Sequence, residues 1–257
     1  MVMTMAGGVA RVVFDRPAAR NAMTWAMYEQ LGSLCEQLAA DPAVRAVTFE
    51  GAGGEAFVAG TDIEQFRAFQ SGERGGQDGV AYEQKIDHLI GLIEALPMPT
   101  VALVSGWAIG GGLAMATACD FRLATPPSRF GVPIAKTLGN CLSVANLSRL
   151  VAAWGAQRVK RMLLLAELVT ADEALACGFV HQVVEAQEME AVSAQLCERL
   201  ARLAPVTQRV SKEALRRLTT ANLPDGEDLI RQAYGSTDFG EGVNAFLGKR
   251  PPVWQGR

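Results

Sequence analysis

The sequence predicts an α/β fold, and three observations support this prediction. Apolar, β-branched runs at residues 9–14, 44–49 and 100–104 are typical of buried strands. Stretches of helical length and pattern alternate with these runs, as in proteins built on a mostly parallel sheet. From residue 143 onward the pattern is mostly helical. We therefore expect an α/β core followed by a helical region.

The first half of the chain alternates strands with a helix and glycine-rich turns. The strand at residues 9–14 is followed by a turn at residues 15–17, and a helix is expected from about residue 24 to residue 40. The second strand runs into GAGG at residues 51–54, where the glycines favour a loop. The third strand leads into a cluster of glycines and then an apolar helix. This order is a strand, a crossover helix and a second strand, and the third strand with its helix continues the alternation.

A polar segment with four glycines, QSGERGGQDG at residues 70–79, precedes a helix expected at residues 82–96. Its composition predicts a mobile loop, either a lid over a site or a tolerated surface insertion. Thr170 and Glu173 fit a capping box, with Gly178 as the C′ residue of the same helix. Further helices are expected at residues 144–150, 157–165, 171–177, 189–203, 206–218 and 239–247.

The composition is that of a soluble globular protein. Apolar residues make up 49% and charged residues 20% of the 257 residues, which provides ample material for a core. The net charge of −3 argues against nucleic acid or an acidic membrane as a partner. The sequence has no membrane-length apolar run and no signal-peptide layout at its start, so a cytoplasmic protein is expected. The five cysteines lack metal-site or disulfide spacing and are interpreted as buried thiols.

Two glycine-containing turns carry the strongest chemical signal, at residues 56–63 and 106–114. Each opens a helix, so that unpaired N–H groups at the helix start can point at one oxygen. Two such donors from separate loops would form an oxyanion hole. The triple glycine lacks the GxGxxG spacing of a dinucleotide loop, and no GK[ST] follows it. The structural alternative is that these glycines only let a helix pack tightly on the sheet.

These segments resemble a known family. AFVAGTDI at residues 56–63, followed by GWAIGGGLAMATACDFRLA at residues 106–124, looks like the two oxyanion segments of the crotonase (enoyl-CoA hydratase/isomerase) superfamily. DRPAARNAM at residues 15–23 is similar to the family's adenine-side CoA loop, and EGVNAFLGKRP at residues 241–251 is similar to its final helix. The resemblance covers nearly the whole chain. It is much more specific for the superfamily than for the reaction.

The resemblance implies a crotonase-like ββα spiral core at residues 1–190 that binds acyl-CoA. It also implies a helical trimerisation region at residues 191–257, and a homotrimer or a hexamer made of two trimers. The oxyanion donors would be the N–H groups of Thr61 and Gly111, which would hold the thioester carbonyl and stabilise an enolate. No separate cofactor or metal is expected, because coenzyme A is part of the substrate.

A wider set of residues is implied to contact the substrate. Phe246 and Lys249 would contact the nucleotide part of CoA, often bound by a neighbouring subunit. Alternatively, an amphipathic terminal helix would place an aromatic inward and a lysine outward in any case. The substrate-binding set that the resemblance implies is Ala18, Ala19, Ala59, Gly60, Asp62, Ile63, Gly110, Gly112, Ala114, Ile134, Phe246 and Lys249.

The start of the helix after Thr61 has two possible caps. If Thr61 is the N-cap, Glu64 closes a capping box on the N–H of Thr61 and competes with the thioester. If Asp62 is the N-cap, the Thr61 donor stays free. We favour Asp62.

The two glutamates of a hydratase of this family are missing. The family places one glutamate two residues after the last glycine of the triplet and another after the FGxP turn, as general base and general acid. Here these positions are Ala114 and Ile134, and neither side chain carries a proton. Ordinary syn-hydration, and isomerisation that depends on the second glutamate, are therefore disfavoured.

Asn140 and Cys141 are the alternative catalytic candidates, because related enzymes on this scaffold carry a catalytic aspartate near their position. Cys141 would act as a nucleophile or acid, or else fill space at the start of the helix at residues 144–150. Asn140 would donate to a substrate carbonyl or cap that helix. The sequence does not decide whether Lys136 faces solvent or the pocket. His88 and His181 are interpreted as structural or surface groups.

Two functions remain open from the sequence. The first is an acyl-CoA enzyme, a lyase or isomerase with nonstandard catalytic residues. The second is a catalytically weak acyl-CoA-binding paralogue or a trimeric interaction module. Polar groups from Asn140, Cys141 or Thr61 converging opposite Gly111 would favour the enzyme, and an all-apolar wall would favour the binder.

Overall fold

The computed structural model describes residues 1–69 and 72–256, which contain two sheets. The larger sheet has the strand order β1-β2-β3-β5-β7-β10, and the smaller sheet has the order β4-β6-β8-β9. The strands are β1 Val2–Ala6, β2 Val9–Phe14, β3 Ala46–Gly51, β4 Ala56–Val58, β5 Thr100–Val104, β6 Trp107–Ile109, β7 Phe121–Ala124, β8 Arg129–Gly131, β9 Val169–Thr170 and β10 Gln182–Val183.

Successive strands alternate between the two sheets. β3 and β4, then β5 and β6, then β7 and β8 each place one strand in the larger sheet and the next in the smaller one. Pairing along β2, β3, β5, β7 and β10 is parallel, and so is pairing along β4, β6 and β8. This is the repeated ββα spiral, so the predicted fold class is confirmed.

The helices follow or cover this spiral. Within the described residues, none is long and apolar enough to cross a membrane. They are α1 Trp25–Ala40, α2 Glu73–Glu94, α3 Gly111–Ala118, α4 Ile134–Thr137, α5 Val144–Trp154, α6 Ala156–Leu164, α7 Ala171–Ala176, α8 Met189–Ala201, α9 Pro205–Thr220, α10 Glu227–Tyr234 and α11 Thr237–Leu247.

The crossover helix α1 begins where the sequence predicts. The Thr24 side chain accepts a hydrogen bond from the N–H of Met27, so it satisfies one of the unpaired donors at the helix start. Tyr28, Leu31, Cys35 and Leu38 lie at three- and four-residue spacing and are buried against the core. The strands at residues 9–14 and 100–104 are also confirmed, whereas the strand expected at residues 44–49 spans Ala46–Gly51.

The prediction of a mobile loop at residues 70–79 is wrong from Glu73 onward. Gln70 and Ser71 lie outside the described residues, but α2 already begins at Glu73. Gly76 and Gly79 are packed against α10, and a Cβ on Gly79 would lie 2.3 Å from Cγ of Tyr234. Glycine is required there for the close approach of the two helices. The same composition is typical of linkers, which explains the error.

The C-terminal helices contact the spiral from outside. Lys212 of α9 forms an ion pair with Asp120 at 2.6 Å, and Asp120 also accepts hydrogen bonds from the N–H and hydroxyl of Thr100. This links α9 to the larger sheet. The sequence analysis did not predict β1 or α10. At the start of α7, Thr170 accepts from the N–H of Glu173, but the Glu173 carboxylate pairs with Arg161, so only half of the predicted capping box forms. Gly178 takes φ +81°, as its C′ role requires.

Candidate functional site

The loop that carries Thr61 is held by backbone pairing to Met23. The N–H of Met23 donates to Gly60 O, and the N–H of Asp62 donates to Met23 O, both at 2.9 Å. In this parallel bridge, the N–H of Thr61 faces away from Met23, since alternate residues use opposite edges. Within the described ranges, no acceptor takes the N–H of Thr61. A free donor is thus presented by a fixed backbone.

Asp62 is the N-cap of the short 3-10 helix Ile63–Ala68, as favoured from the sequence. Its Oδ1 accepts from the N–H of Glu64 at 3.1 Å, and its Oδ2 forms an ion pair with Arg16 at 2.7 Å. The Glu64 carboxylate pairs with Arg67, so it does not reach back to Thr61. The Thr61 donor is therefore not consumed by a capping box.

The second glycine turn lies directly against the first. A Cβ on Gly60 would be 3.5 Å from Ile109 O, and a Cβ on Gly110 would be 3.9 Å from Cα of Gly60. Gly110 has φ +55° and precedes α3, whose first residue is Gly111. The N–H of Gly111 is one of the helix-start donors that lack an intrahelical acceptor. The fold thus brings together two loops that are about fifty residues apart in the chain.

Gly112 shows that α3 also depends on close packing. A Cβ on Gly112 would lie 2.0 Å from Val58 O, so no other residue fits between α3 and β4. The structural interpretation of the glycine cluster is therefore correct for Gly112. It does not compete with the oxyanion interpretation, because Gly112 positions the helix whose first N–H is that of Gly111.

Three hydroxyl groups meet beside these turns, and we call Tyr28, Thr61 and Tyr82 the hydroxyl cluster. Thr61 Oγ1 lies 2.8 Å from Tyr28 Oη and 2.8 Å from Tyr82 Oη. Tyr28 Oη also lies 3.0 Å from the position of a Cβ on Gly111. Burial raises the pKa of both tyrosines well above their ordinary value, so both keep their protons at neutral pH.

The two positions at which the resemblance implies glutamates carry apolar side chains, Ala114 and Ile134. Ala114 lies in α3 and is buried, and Ile134 opens α4 and packs partly buried against the main core. Two of the predicted substrate-binding residues, Gly110 and Gly112, belong to the turn already described. Ala59 and Ile63 flank the Thr61 loop and are half-buried.

Asn140 does not cap α5, so that prediction is wrong. Ser143 is the N-cap, and its hydroxyl accepts from the N–H of Asn146 at 3.1 Å. Asn140 instead donates through Nδ2 to Tyr234 Oη at 3.1 Å. Its Oδ1 is buried and has no hydrogen-bond partner among the described residues. Asn140 lies too far before the helix for its side chain to reach the first-turn donors.

Cys141 is not at a helix start either. It packs, partly buried, against a cluster that includes Phe66, Tyr234 and Phe239. Burial raises the pKa of its thiol to about 12, so a thiolate nucleophile at neutral pH is disfavoured. Its only hydrogen-bond contact within the described residues is a long one, 3.9 Å from Sγ to Leu229 O. The space-filling interpretation fits these contacts.

Glu83 is a buried carboxyl that the sequence analysis missed. It is 2% exposed and accepts from Tyr234 Oη at 2.7 Å and from the N–H of Ser143 at 3.0 Å. The signal was present, since Glu83 follows Val80 and precedes Ile86 at three-residue spacing on the apolar face of α2. Tyr28 and Tyr82 left no such signal, because aromatics on a helix are ordinary core residues.

The Glu83 carboxyl predicts a pH dependence of stability. Burial raises its pKa from 4.5 to about 7, so its stabilising protonated form is fully present below pH 4.5 and is lost as the pH rises through 7. Compared with Glu83→Gln, the wild-type free energy of unfolding should fall by an amount on the order of 3 kcal/mol across this window. Denaturant unfolding at several pH values measures it. Parallel pH profiles for the two proteins would contradict the prediction.

The residues assigned to CoA lie on the surface. Ala18 is exposed and Ala19 is half-buried, on the 3-10 helix Pro17–Ala19. Phe246 is 51% exposed, so it does not point inward as the amphipathic alternative requires, and Lys249 is exposed just after α11. Among the other polar candidates, Lys136, His88 and His181 are exposed. A separate cavity of about 950 Å³ at the start of α2 and the C-terminal tail is not lined by Thr61 or Gly111.

The chain is similar to known proteins over nearly its whole length. The family model for enoyl-CoA hydratase/isomerase matches residues 4–257. The short-chain-enoyl-CoA hydratase of Clostridium acetobutylicum is 30% identical over 97% of this chain and 95% of its own. A solved methylmalonyl-CoA decarboxylase in complex with 2-nitronate-propionyl-CoA has a TM-score of 0.89 and 28% identity, covering 100% of this chain and 98% of its own.

A second solved structure, an enoyl-CoA hydratase/carnithine racemase from Magnetospirillum magneticum, has a TM-score of 0.79 and 32% identity, covering 99% of this chain and 95% of its own. These relatives include both hydratase and decarboxylase names, and all span the chain almost completely. The family is thus established by the whole-length match. This chain belongs to the enoyl-CoA hydratase/isomerase family of the crotonase superfamily.

Proposed function

We propose that this protein is an acyl-CoA enzyme that stabilises a thioester enolate with the N–H groups of Thr61 and Gly111. Support comes from the two adjoining loops and from the free N–H of Thr61. The thioester oxygen gains charge in the transition state, so fixed donors aimed at it lower the barrier. Because backbone donors are set by the fold, they need no rearrangement when the charge develops.

We further propose that the enolate forms by decarboxylation of a β-carboxyacyl-CoA. In this step the bond between the α carbon and the carboxylate breaks, CO₂ leaves, and the electron pair moves into the enolate. The α carbon then takes one proton. The reaction needs an oxyanion hole and a proton donor, but no general base to start it.

Two observations together carry this choice. Ala114 and Ile134 are apolar, and the hydroxyl groups near Gly111 are neutral. Hydration needs positioned groups that take and give protons at those two positions. The hydroxyl cluster, by contrast, contains donors that stay protonated. The higher TM-score with the methylmalonyl-CoA decarboxylase than with the Magnetospirillum protein is consistent with this proposal.

The remaining parts of the site follow from the same proposal. Ala18, Ala19, Phe246 and Lys249 would hold the nucleotide part of CoA, since all four are half-buried or exposed. Gly60, Asp62 and Gly112 would fix the loops rather than react. No cofactor beyond the CoA of the substrate is needed. A trimer or hexamer and a cytoplasmic location remain predictions.

The test is CO₂ release from malonyl-CoA and methylmalonyl-CoA, followed by mass spectrometry of the CoA product. We expect acetyl-CoA or propionyl-CoA to form at a rate proportional to the enzyme concentration. Protein that has been unfolded beforehand serves as the control. Tight calorimetric binding of these thioesters without any product would contradict decarboxylation. That outcome would favour the acyl-CoA-binding paralogue.

A further inference from the structure

The three hydroxyls of the hydroxyl cluster form a closed ring. Thr61 Oγ1 lies 2.8 Å from each of the two phenol oxygens, and the phenols of Tyr28 and Tyr82 are also hydrogen-bonded to each other. Three hydroxyl hydrogens therefore meet three acceptors. All three hydroxyls are buried, so breaking one bond leaves a buried polar group unsatisfied. Because bonds in such a network also polarise one another, the ring is a rigid unit.

The Tyr28 hydroxyl reaches both glycine turns. Its oxygen is hydrogen-bonded to Thr61 Oγ1 in the first turn, and it lies 3.0 Å from the position of a Cβ on Gly111 in the second. Gly111 is the first residue of α3 and has no positive φ, so its backbone would accept a side chain. Glycine at this position instead makes room for the phenol oxygen. That oxygen therefore packs against both turns.

The segment that carries Tyr28 also holds the backbone of the Thr61 loop. Met23 pairs with the residues on either side of Thr61, and the next residue, Thr24, is the N-cap of α1. The N–H of Tyr28 donates to Thr24 O at 3.0 Å, and the buried Tyr28 ring lies 6.1 Å from that of Trp25 between ring centroids. Thr61 is therefore held twice by one short segment, through the backbone at Met23 and through its own side chain at Tyr28.

The sheet does not by itself fix the spacing of the two donors. The pairing of β4 with β6 ends at Val58 and Ala108, three residues before Thr61 and Gly111 respectively. An oxyanion hole needs both donors about 2.7–3.1 Å from one oxygen. A misplacement on the order of 1 Å can cost about 10² in rate. Contacts beyond the end of the strands must therefore hold the two N–H groups in register, and the Tyr28 oxygen makes such a contact.

We infer that Tyr28 is a positioning residue that sets the spacing between the N–H groups of Thr61 and Gly111. This inference rests on the proposed oxyanion hole and names the side chain that keeps it in shape. The Tyr28 hydroxyl acts from behind the turns, since it bonds the Thr61 side chain and blocks movement of Gly111 toward it. Without this hydroxyl the two turns settle at a different spacing, and the donors polarise the thioester carbonyl less.

The carbonyl stretch of a bound thioester provides the test. Propionyl-CoA labelled with ¹³C at the thioester carbonyl should absorb at a lower wavenumber on the wild-type protein than in water, because two donors polarise the C=O bond. In Tyr28→Phe this shift should fall to about half or less, and kcat for CO₂ release should fall about tenfold, while the calorimetric Kd stays within about threefold. A merely structural role would reduce the amount of active protein and leave the shift of the bound thioester unchanged.

Matched variants separate the contact from the fold. Thr61→Val keeps the N–H but removes the hydroxyl that Tyr28 bonds, so it tests the same link without changing α1 and should lower the shift, whereas Thr61→Ser should retain it. Tyr234→Phe removes a buried tyrosine hydroxyl that bonds Glu83, and should keep the wild-type shift. In the Tyr28→Phe background, Gly111→Ala should cost no further rate, because the oxygen that its Cβ meets is gone.

The outcomes distinguish this inference from the proposed function. A wild-type shift in both Tyr28→Phe and Thr61→Val would overturn the inference and leave the oxyanion hole intact. An equal loss of shift in Tyr234→Phe would also overturn it, because any buried hydroxyl would then have the same effect. The absence of propionyl-CoA binding, or of any shift, in the wild-type protein would overturn the proposed oxyanion hole and the inference with it.

Discussion

Crotonyl-CoA hydration by this protein should be slower than that of a two-glutamate hydratase by several orders of magnitude. The resemblance implies an acid or base group at each of two positions, which Ala114 and Ile134 occupy here, and the loss of each such group would cost ~10²–10⁴ in rate. Both side chains are apolar and packed against the core, so neither position offers a water-activating group. Loss of the enoyl absorbance of crotonyl-CoA gives the rate directly.

The comparison should be made beside the short-chain-enoyl-CoA hydratase of Clostridium acetobutylicum, under the same conditions. Calorimetric binding of crotonyl-CoA to both proteins is the control, since a slow rate is informative only if the thioester is bound. A turnover within about tenfold of the Clostridium enzyme would show that another group replaces the glutamates. It would also remove the main reason to prefer decarboxylation.

Replacing Gly111 with proline should lower the rate of CO₂ release by ~10²–10³, which is the usual cost of losing one oxyanion donor. Proline has no N–H, yet it is tolerated at the first position of a helix, and Gly111 is the first residue of α3. The helix should therefore persist while the donor is lost. The rate of CO₂ release from methylmalonyl-CoA is the measurement, with circular dichroism to follow the fold.

Gly111→Ala is the matched control for this substitution. Alanine keeps the N–H and adds only a Cβ, which would lie 3.0 Å from Tyr28 Oη and requires a small shift of that hydroxyl. Its rate should stay within about tenfold of the wild type. Equal losses in the proline and alanine variants would mean that space near Tyr28, and not the N–H of Gly111, controls the reaction.

Local patterns in the sequence were sufficient for several parts of the site. Thr24 and Asp62 are N-caps because their short polar side chains reach first-turn N–H groups, an interaction within a few residues of the chain. The strand at residues 9–14 is set by its own apolar run. The glycines at 60 and 110–112 identified the two turns, because positive φ and close approach demand glycine.

Predictions from local patterns were wrong where interactions between distant segments decide the structure. The glycines at residues 72–79 are typical of a loop, yet most lie in a helix, because α10 packs so closely on α2 that a side chain at Gly79 would collide with Tyr234. Asn140 has the chemistry of a cap, but Ser143 takes that role and Asn140 turns to Tyr234, 94 residues away. These outcomes depend on where α10 docks.

The sequence by itself therefore determined the fold class and the two glycine turns, since each depends on residue type and local spacing. Only the tertiary structure decided which side chains face those turns. Tyr28, Thr61 and Tyr82 come from three separate elements, and nothing in their own neighbourhoods distinguishes them from core aromatics or a surface threonine. They meet near Gly111 because α1 and α2 pack against the same loop. Such long-range contacts position the hydroxyl groups, and local sequence propensities do not reveal them.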